Sequence, residues 1–217
     1  YSSDLREAKL PKANLAKADL QEANLVGADL HGADLNGANL HQANLAQADL
    51  SEALLFFADL HEANLPEANL QSADLTEVDL LQADLEGADL SGAKLSESKL
   101  RGAKLIRASL CGADLSKANL SEVDFSEADL TNANLKAADL SKAVLTRAKL
   151  GGANLHRVNI HGADLSEADL INMNLFGIDL REAITENTQF ENAILCSTIL
   201  PDGTAEYRDC EDDAEVG

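Results

Sequence analysis

The sequence predicts a repeat solenoid, a single elongated domain, and three observations predict it. From Leu5 to Leu200 every fifth residue is leucine or a close substitute. The residue two places earlier is alanine in most units, as in Ala8, Ala13, Ala18 and Ala23. The remaining three positions hold mostly Asp, Asn, Lys, Ser, Glu, His and Gly, the composition of a solvated turn surface. A period of five fits neither the 3.6 of an amphipathic helix nor the alternation of a strand, so the chain must turn a corner after each unit.

The units ADLQE at 18–22, ANLVG at 23–27 and ADLHG at 28–32 carry the pattern A(D/N)LXX and resemble the pentapeptide-repeat family. The resemblance runs from residue 3 to about 200. It implies an all-β fold, a right-handed quadrilateral β-helix in which four units make one coil of twenty residues. Residues n and n+20 would then stack at the inter-strand spacing of roughly 4.8 Å, and about ten coils would form a rod roughly 48 Å long.

Within this frame each column has a role. The leucines and alanines form a dry, narrow core, and each buried leucine contributes on the order of 1.5–3 kcal/mol. Val78, Val123, Val158, Met173 and Ile178 stand where alanine is the rule, and Phe125 and Phe190 where leucine is, so the interior must adjust at those coils. Ten of the thirteen glycines fall two residues after the leucine, where a type II turn accepts positive φ. Units with Glu, Lys or Arg there are expected to use a looser turn. Asp and Asn before the leucine are expected to bond turn backbone groups.

The repeat domain is assigned to residues 1–200, with a degenerate C-terminal cap at 184–200, where Thr185 takes an inward position and Ile184, Ile194 and Ile199 take outward ones. A Pro201-Asp202-Gly203 turn opens residues 201–217, expected to be an acidic, disordered tail; a turn of this kind also resembles the ends of cyanobacterial family members. The repeats start within three residues of Tyr1 without a capping helix, so further sequence upstream is expected, a membrane segment among the options. No run of eighteen apolar residues and no signal-peptide pattern occurs, which makes the domain soluble as written and leaves its compartment open, cytoplasmic unless an upstream segment tethers it to a membrane.

Charge is the strongest functional clue, at −21 overall. Such a surface repels nucleic acid and anionic membrane, so no nucleic-acid partner is expected. Some family members mimic duplex DNA and occupy type II topoisomerases, and a rod of this length would imitate roughly 28 phosphates. The outward charge is lopsided, however: the faces of the 5, 25, 45 and 20, 40, 60 leucine series carry about −6 each, that of the 10, 30, 50 series about −4, and that of the 15, 35, 55 series about zero. Lys94, Lys99 and Lys104, with Arg101 and Arg107, form a belt interrupting the acidic columns, each lysine expected beside an aspartate one coil away. Topoisomerase-protecting relatives also carry loops between coils and a C-terminal helical dimerisation module, and neither pattern occurs here. The uninterrupted run looks more like cyanobacterial members, among them the repeat domain of a protein needed for the heterocyst glycolipid layer.

The neutral face carries Leu54, Phe56, Phe57 and Phe176, the candidate partner-binding residues, because an apolar cluster is otherwise absent from this surface. His41 and His61 stack one coil apart, a pair that reads as solvated turn residues. Cys111, Cys196 and Cys210 have no metal-binding spacing and are expected to be free thiols, Cys196–Cys210 being the one conceivable bridge. The carboxylates follow the repeat and face no His or Ser in a cleft, so the chain is expected not to be an enzyme and to hold no cofactor or metal. The reading is a rigid scaffold or protein-interaction domain with a role in cell-envelope or heterocyst glycolipid assembly and an unidentified protein partner; the alternative is a DNA mimic directed at a type II topoisomerase.

Overall fold

The computed structural model describes residues 3–207, 209 and 210. They contain no helix, and none is long and apolar enough to cross a membrane. Parallel bridges join n to n+20 from Asp4↔Asn24 to Asp179↔Ile199, so the period of five closes a four-sided coil of twenty residues as expected. Up to Lys149 each coil gives its neighbour paired bonds on every side, such as Leu65 N–H to Asp84 O at 2.7 Å and Asp84 N–H to Ala63 O at 2.9 Å. This arrangement satisfies the backbone polar groups that a dry interior would otherwise strand.

The corners are uniform. The amide three residues after each leucine returns to the leucine carbonyl, as Ala68 N–H does to Leu65 O at 3.1 Å. The residue two after the leucine has positive φ at every corner from Glu7 to Ser197, whether it is glycine (Gly27, +64°) or not (Glu67, +55°). Positive φ at the third turn position alone is the type II geometry. The looser turn expected for Glu, Lys and Arg is therefore corrected: Lys17 at +60° and Arg107 at +57° make the same turn as glycine. The ladder above and below fixes the corner, and its bonds outweigh the steric cost of left-handed backbone for an L-residue, about 1–2 kcal/mol.

Inside, leucines and alanines from Leu20 to Leu195 form one continuous core. Phe125 is fully buried, and the ladder at Val78 and Val123 persists, with Lys99 N–H to Val78 O at 3.0 Å and Val144 N–H to Val123 O at 2.8 Å. A single valine, or a valine with one phenylalanine in its coil, is accommodated.

The coils after Lys149 behave differently. Amides of Gly152, Leu155, Arg157, Ile160 and Gly162 make no coil-to-coil bond, the bridges Asn154↔Asn174 and Asn159↔Asp179 are missing, and Leu150 N–H to Asp169 O is stretched to 3.3 Å. The other two faces keep their pairs, Lys149↔Asp169 and Asp164↔Ile184. The lapse coincides with Met173, Ile178 and Val158 in alanine positions on the two open faces, so bulk in neighbouring coils wedges them apart. Replacing Met173 and Ile178 together by alanine is expected to close this seam, slowing amide exchange at Leu155 and Ile160 by about tenfold or more in hydrogen–deuterium exchange. Unchanged exchange would remove the wedge explanation.

The C-terminal end corrects two expectations. Cys196 and Cys210 form a disulfide, with Cα atoms 4.7 Å apart, where free thiols were expected. Nor is the segment after 200 structureless throughout: after the Pro201–Gly203 turn, β2 (Ala205–Glu206) pairs antiparallel with β1 (Thr198–Ile199). Leu200 N–H donates to Thr204 O at 2.8 Å, and Thr204 N–H to the Asp202 carboxylate at 2.8 Å. The returning segment covers the end coil, which is why Cys196, in a normally outward position, is buried. Thr188 and Thr198, in alanine positions, donate their hydroxyls to Leu165 O and Leu175 O, both at 2.7 Å, tying the last coils together. The rest of the expected tail, 211–217, lies outside the described residues.

Candidate functional site: the neutral face

The turns decide which polar atoms are free to act. Carboxylates and amides before the leucine accept from the backbone two residues on, as Asp59 Oδ1 does from His61 N–H at 3.0 Å and Asp89 Oδ1 from Ser91 N–H at 3.0 Å. Asparagines extend these turns into columns: Asn64 Nδ2 donates to Asn44 Oδ1 at 2.9 Å and Asn159 Nδ2 to Asp139 Oδ1 at 2.9 Å. Much of the acidic surface is thus turn architecture.

Burial pulls the carboxyl of Asp49 upward, but hydrogen bonds from the Ser51 hydroxyl and amide, with nearby His31 and Asn69, leave it below its ordinary value. Asp89 is lowered likewise by Ser91 and Gln71 against burial, and Asp129 by Thr131. A carboxylate whose folded pKa lies below its unfolded value of about 3.9 gives stability present above that pH and lost as pH falls through the folded value. Urea midpoints measured in high salt, which screens the general repulsion, are therefore expected to fall below about pH 4. Asp49→Asn, which keeps the Ser51 acceptor, should flatten that fall; an equally steep profile would count against these turns as its source.

The lysine belt forms where the period predicts it. Lys94, Lys99 and Lys104 reach back one coil to Asp74, Asp79 and Asp84 at 3.4, 3.2 and 3.8 Å. Arg107 pairs with Glu86, and Arg101 with Glu122 at 3.1 Å, two pairs the one-coil rule did not predict. Exposed pairs contribute about 0–1 kcal/mol each, so the belt chiefly relieves repulsion between like columns. The His41 and His61 rings lie 5.2 Å apart, tilted by 55°, and His61 Nε2 meets Glu62 Oε1 at 3.1 Å. Gln42 and then His61 lower the Glu62 carboxyl by hydrogen bonding. Among the described residues no three His, Cys, Asp or Glu side chains gather as metal ligands. Cys111 is half-buried, and burial pushes its thiol up, against the activation a nucleophile needs.

What remains is the face without net charge. Leu54, Phe56 and Phe57 stand out from one coil at 43, 39 and 56 % exposure, the two rings 4.0 Å apart. The side-chain oxygen of Asn36, one coil earlier, accepts from Phe56 N–H at 2.9 Å and fixes that corner. Phe176, 52 % exposed, shares the face but stands six coils of twenty residues away, beside the open seam, so the four apolar residues do not form one patch. Ile194, 40 % exposed one coil further, adds to the second cluster. Sequence reasoning placed Ile194 in an outward position without assigning it here; its membership of the same leucine series was the available signal.

The family model "Pentapeptide repeats" matches the chain in successive stretches that together span residues 2 to 172. Among curated proteins none matches the chain significantly. Among solved structures the chain is similar to HetL of the cyanobacterium Nostoc sp. strain PCC 7120, a pentapeptide repeat protein involved in heterocyst differentiation regulation: TM-score 0.91 and 33 % identity over 94 % of this chain and 92 % of that one. It is also similar to a trypsin-treated form of QnrB1, a plasmid-mediated fluoroquinolone resistance protein, with TM-score 0.51 and 18 % identity over 71 % and 85 % of the two chains, a likeness of fold alone.

Proposed function

The chain belongs to the pentapeptide-repeat family, and from that premise we propose that it is a non-enzymatic, rigid interaction domain acting in the regulation of heterocyst differentiation. A right-handed rod of about ten coils offers stiff, flat faces and a packed interior in place of a cleft. The observation that carries the reading is the exposure of Leu54, Phe56 and Phe57 on the one face that carries no net charge. Aromatic residues there can be desolvated by another protein without stripping water from surrounding carboxylates. Similarity to HetL along nearly the whole of both chains supports this cellular context; a role in cell-envelope or heterocyst glycolipid assembly is a separate reading that the similarity does not bear on. The acidic faces serve solubility and turn formation.

The test is expression of the chain in a heterocyst-forming filament. Wild-type protein is expected to change heterocyst frequency, and Phe56→Ser/Phe57→Ser to abolish the change at equal abundance. No effect of the wild type, or full effect of the variant, would reject the reading. Gyrase supercoiling assays run beside it address the DNA-mimic alternative, with no inhibition expected at micromolar protein.

A further inference from the structure

The neutral face has an order along the rod. Its corner column runs Lys17, Gly37, Phe57, Glu77, Glu97, Lys117, Ala137, Arg157, Gly177 and Ser197, with Lys136 and Phe176 one place to the side of its second half. Between the levels of Phe57 and Phe176 the stretch is bracketed by aromatic residues, acidic in its first half (Glu77, Glu97) and basic in its second (Lys136, Arg157). Each step along it is one coil, since n bridges n+20.

We propose that this face binds a second copy of the chain, antiparallel, about a two-fold axis lying across the face at the level of Lys117. This rests on the reading that the neutral face is the docking face, and names its occupant. An axis in the plane of contact and perpendicular to the rods reverses the order of coils while preserving position across the face, so the corner column meets the corner column. Position 57 then faces 177, 77 faces 157, and 97 faces 137. Phe56 and Phe57 of one copy meet Phe176 of the other; Glu77 meets Arg157 and Glu97 meets Lys136, each contact made twice.

The charges are placed for it. Lys136 and Arg157 are exposed and Glu77 half-buried, and none of the three makes an ion pair among the described residues, on a surface where most other cations are paired. Lys117 and Asp114 each meet their own symmetry mates, but Lys117 is held by Glu97 of its own chain at 2.7 Å and Asp114 accepts from Asn134 Nδ2 of its own chain at 2.9 Å, so neither like-charged pair is bare. Parallel docking would set acid against acid, and on any other face two rods would meet through surfaces of about −4 to −6. Repulsion elsewhere thus selects one face and one orientation.

The strip is narrower than the roughly 800 Å² per partner of a standard interface, so the dimer should be concentration-dependent, with a dissociation constant on the order of 10 µM. Sedimentation equilibrium is expected to show the mass rising with concentration from 23.0 kDa toward twice that value. Glu77→Arg or Arg157→Glu should each weaken association at least about tenfold, while the two in one chain should restore it to within about threefold, because residues four coils apart in a monomer meet only across the two-fold. Both are turn positions at the surface, and circular dichroism verifies that the variants fold. A constant monomer mass, or failure of the double swap to restore association, overturns the dimer. If the mass is constant while Phe56→Ser/Phe57→Ser still abolishes the heterocyst effect, the docking face stands and its occupant is a different protein; if that variant retains the effect, both readings fall.

Discussion

Leu85→Ala is expected to cost about 2–5 kcal/mol, the range for truncating a fully buried leucine in a core that relaxes only partly. Leu85 has no exposed surface, and leucines 65 and 105 stack on it through the twenty-residue register. Because a coil contacts only the coils beside it, the loss should fall on local opening rather than on the whole rod. Amide exchange at Leu65, Leu85 and Leu105 should accelerate by at least about thirtyfold while Leu25 and Leu145 stay protected. The reverse change at the next inward position, Ala88→Leu, should also destabilise, by about 1–3 kcal/mol or more, since Ala68 and Ala108 stack against it with no slack. The molecule contains its own controls: Val78 alone and Val123 beside Phe125 leave the ladder intact, whereas Met173 on one face and Ile178 stacked against Val158 on the neighbouring face accompany its opening. An Ala88→Leu protein with unaltered exchange around Ala68 and Ser109 would show that the interior holds more space than the structure gives it.

The second large effect lies at the C-terminal end. The Cys196–Cys210 bridge closes a loop of sequence separation 14, which removes about 3 kcal/mol of chain entropy from the unfolded state on the loop-closure account. In the folded chain it pins the segment that covers the last coil. Reduction, or Cys196→Ala with Cys210→Ala, is expected to lower stability by about that amount in the terminal coils only. Exchange at Ala193, Thr198 and Ile199 should quicken, and the first melting step should move down while the transition of the central coils does not. An unchanged melting profile in reductant would mean that the β1–β2 pairing holds the end without the bridge.

The architecture was legible because the period is a geometric statement. A corner every five residues, with one large and one small inward side chain, fixes the n to n+20 stacking, and the pairs Lys94–Asp74, Lys99–Asp79 and Lys104–Asp84 follow from it by counting. What escaped counting depends on context. Left-handed backbone at Glu67 or Arg107 contradicts local preference and is imposed by neighbouring coils. The disulfide and hairpin lie where the period has ended, so the only signals that residues 201–210 fold back on Cys196 are the Pro201-Asp202-Gly203 turn and Cys210 itself, too little to select the bridge over free thiols. The seam near Asn154 and Asn174 arises from bulky residues in successive coils acting together, although each was visible singly. Of the candidate site, the period put Leu54, Phe56, Phe57 and Phe176 on one face; their division into two clusters follows from the distance between coils.

The twenty-residue register also governs how such a molecule changes length. Every bridge spans the same twenty residues, so the entropy of closing each coil does not grow as coils are added, and folding can proceed by zipping from any nucleus. A duplication of twenty residues inserts a coil whose edges fit those already present, while one of five or ten shifts everything beyond it onto another face. Gene-level slippage in multiples of four units is thus silent in structure and variable in reach, and any interface spread along one face acts as a ruler that selects which lengths persist.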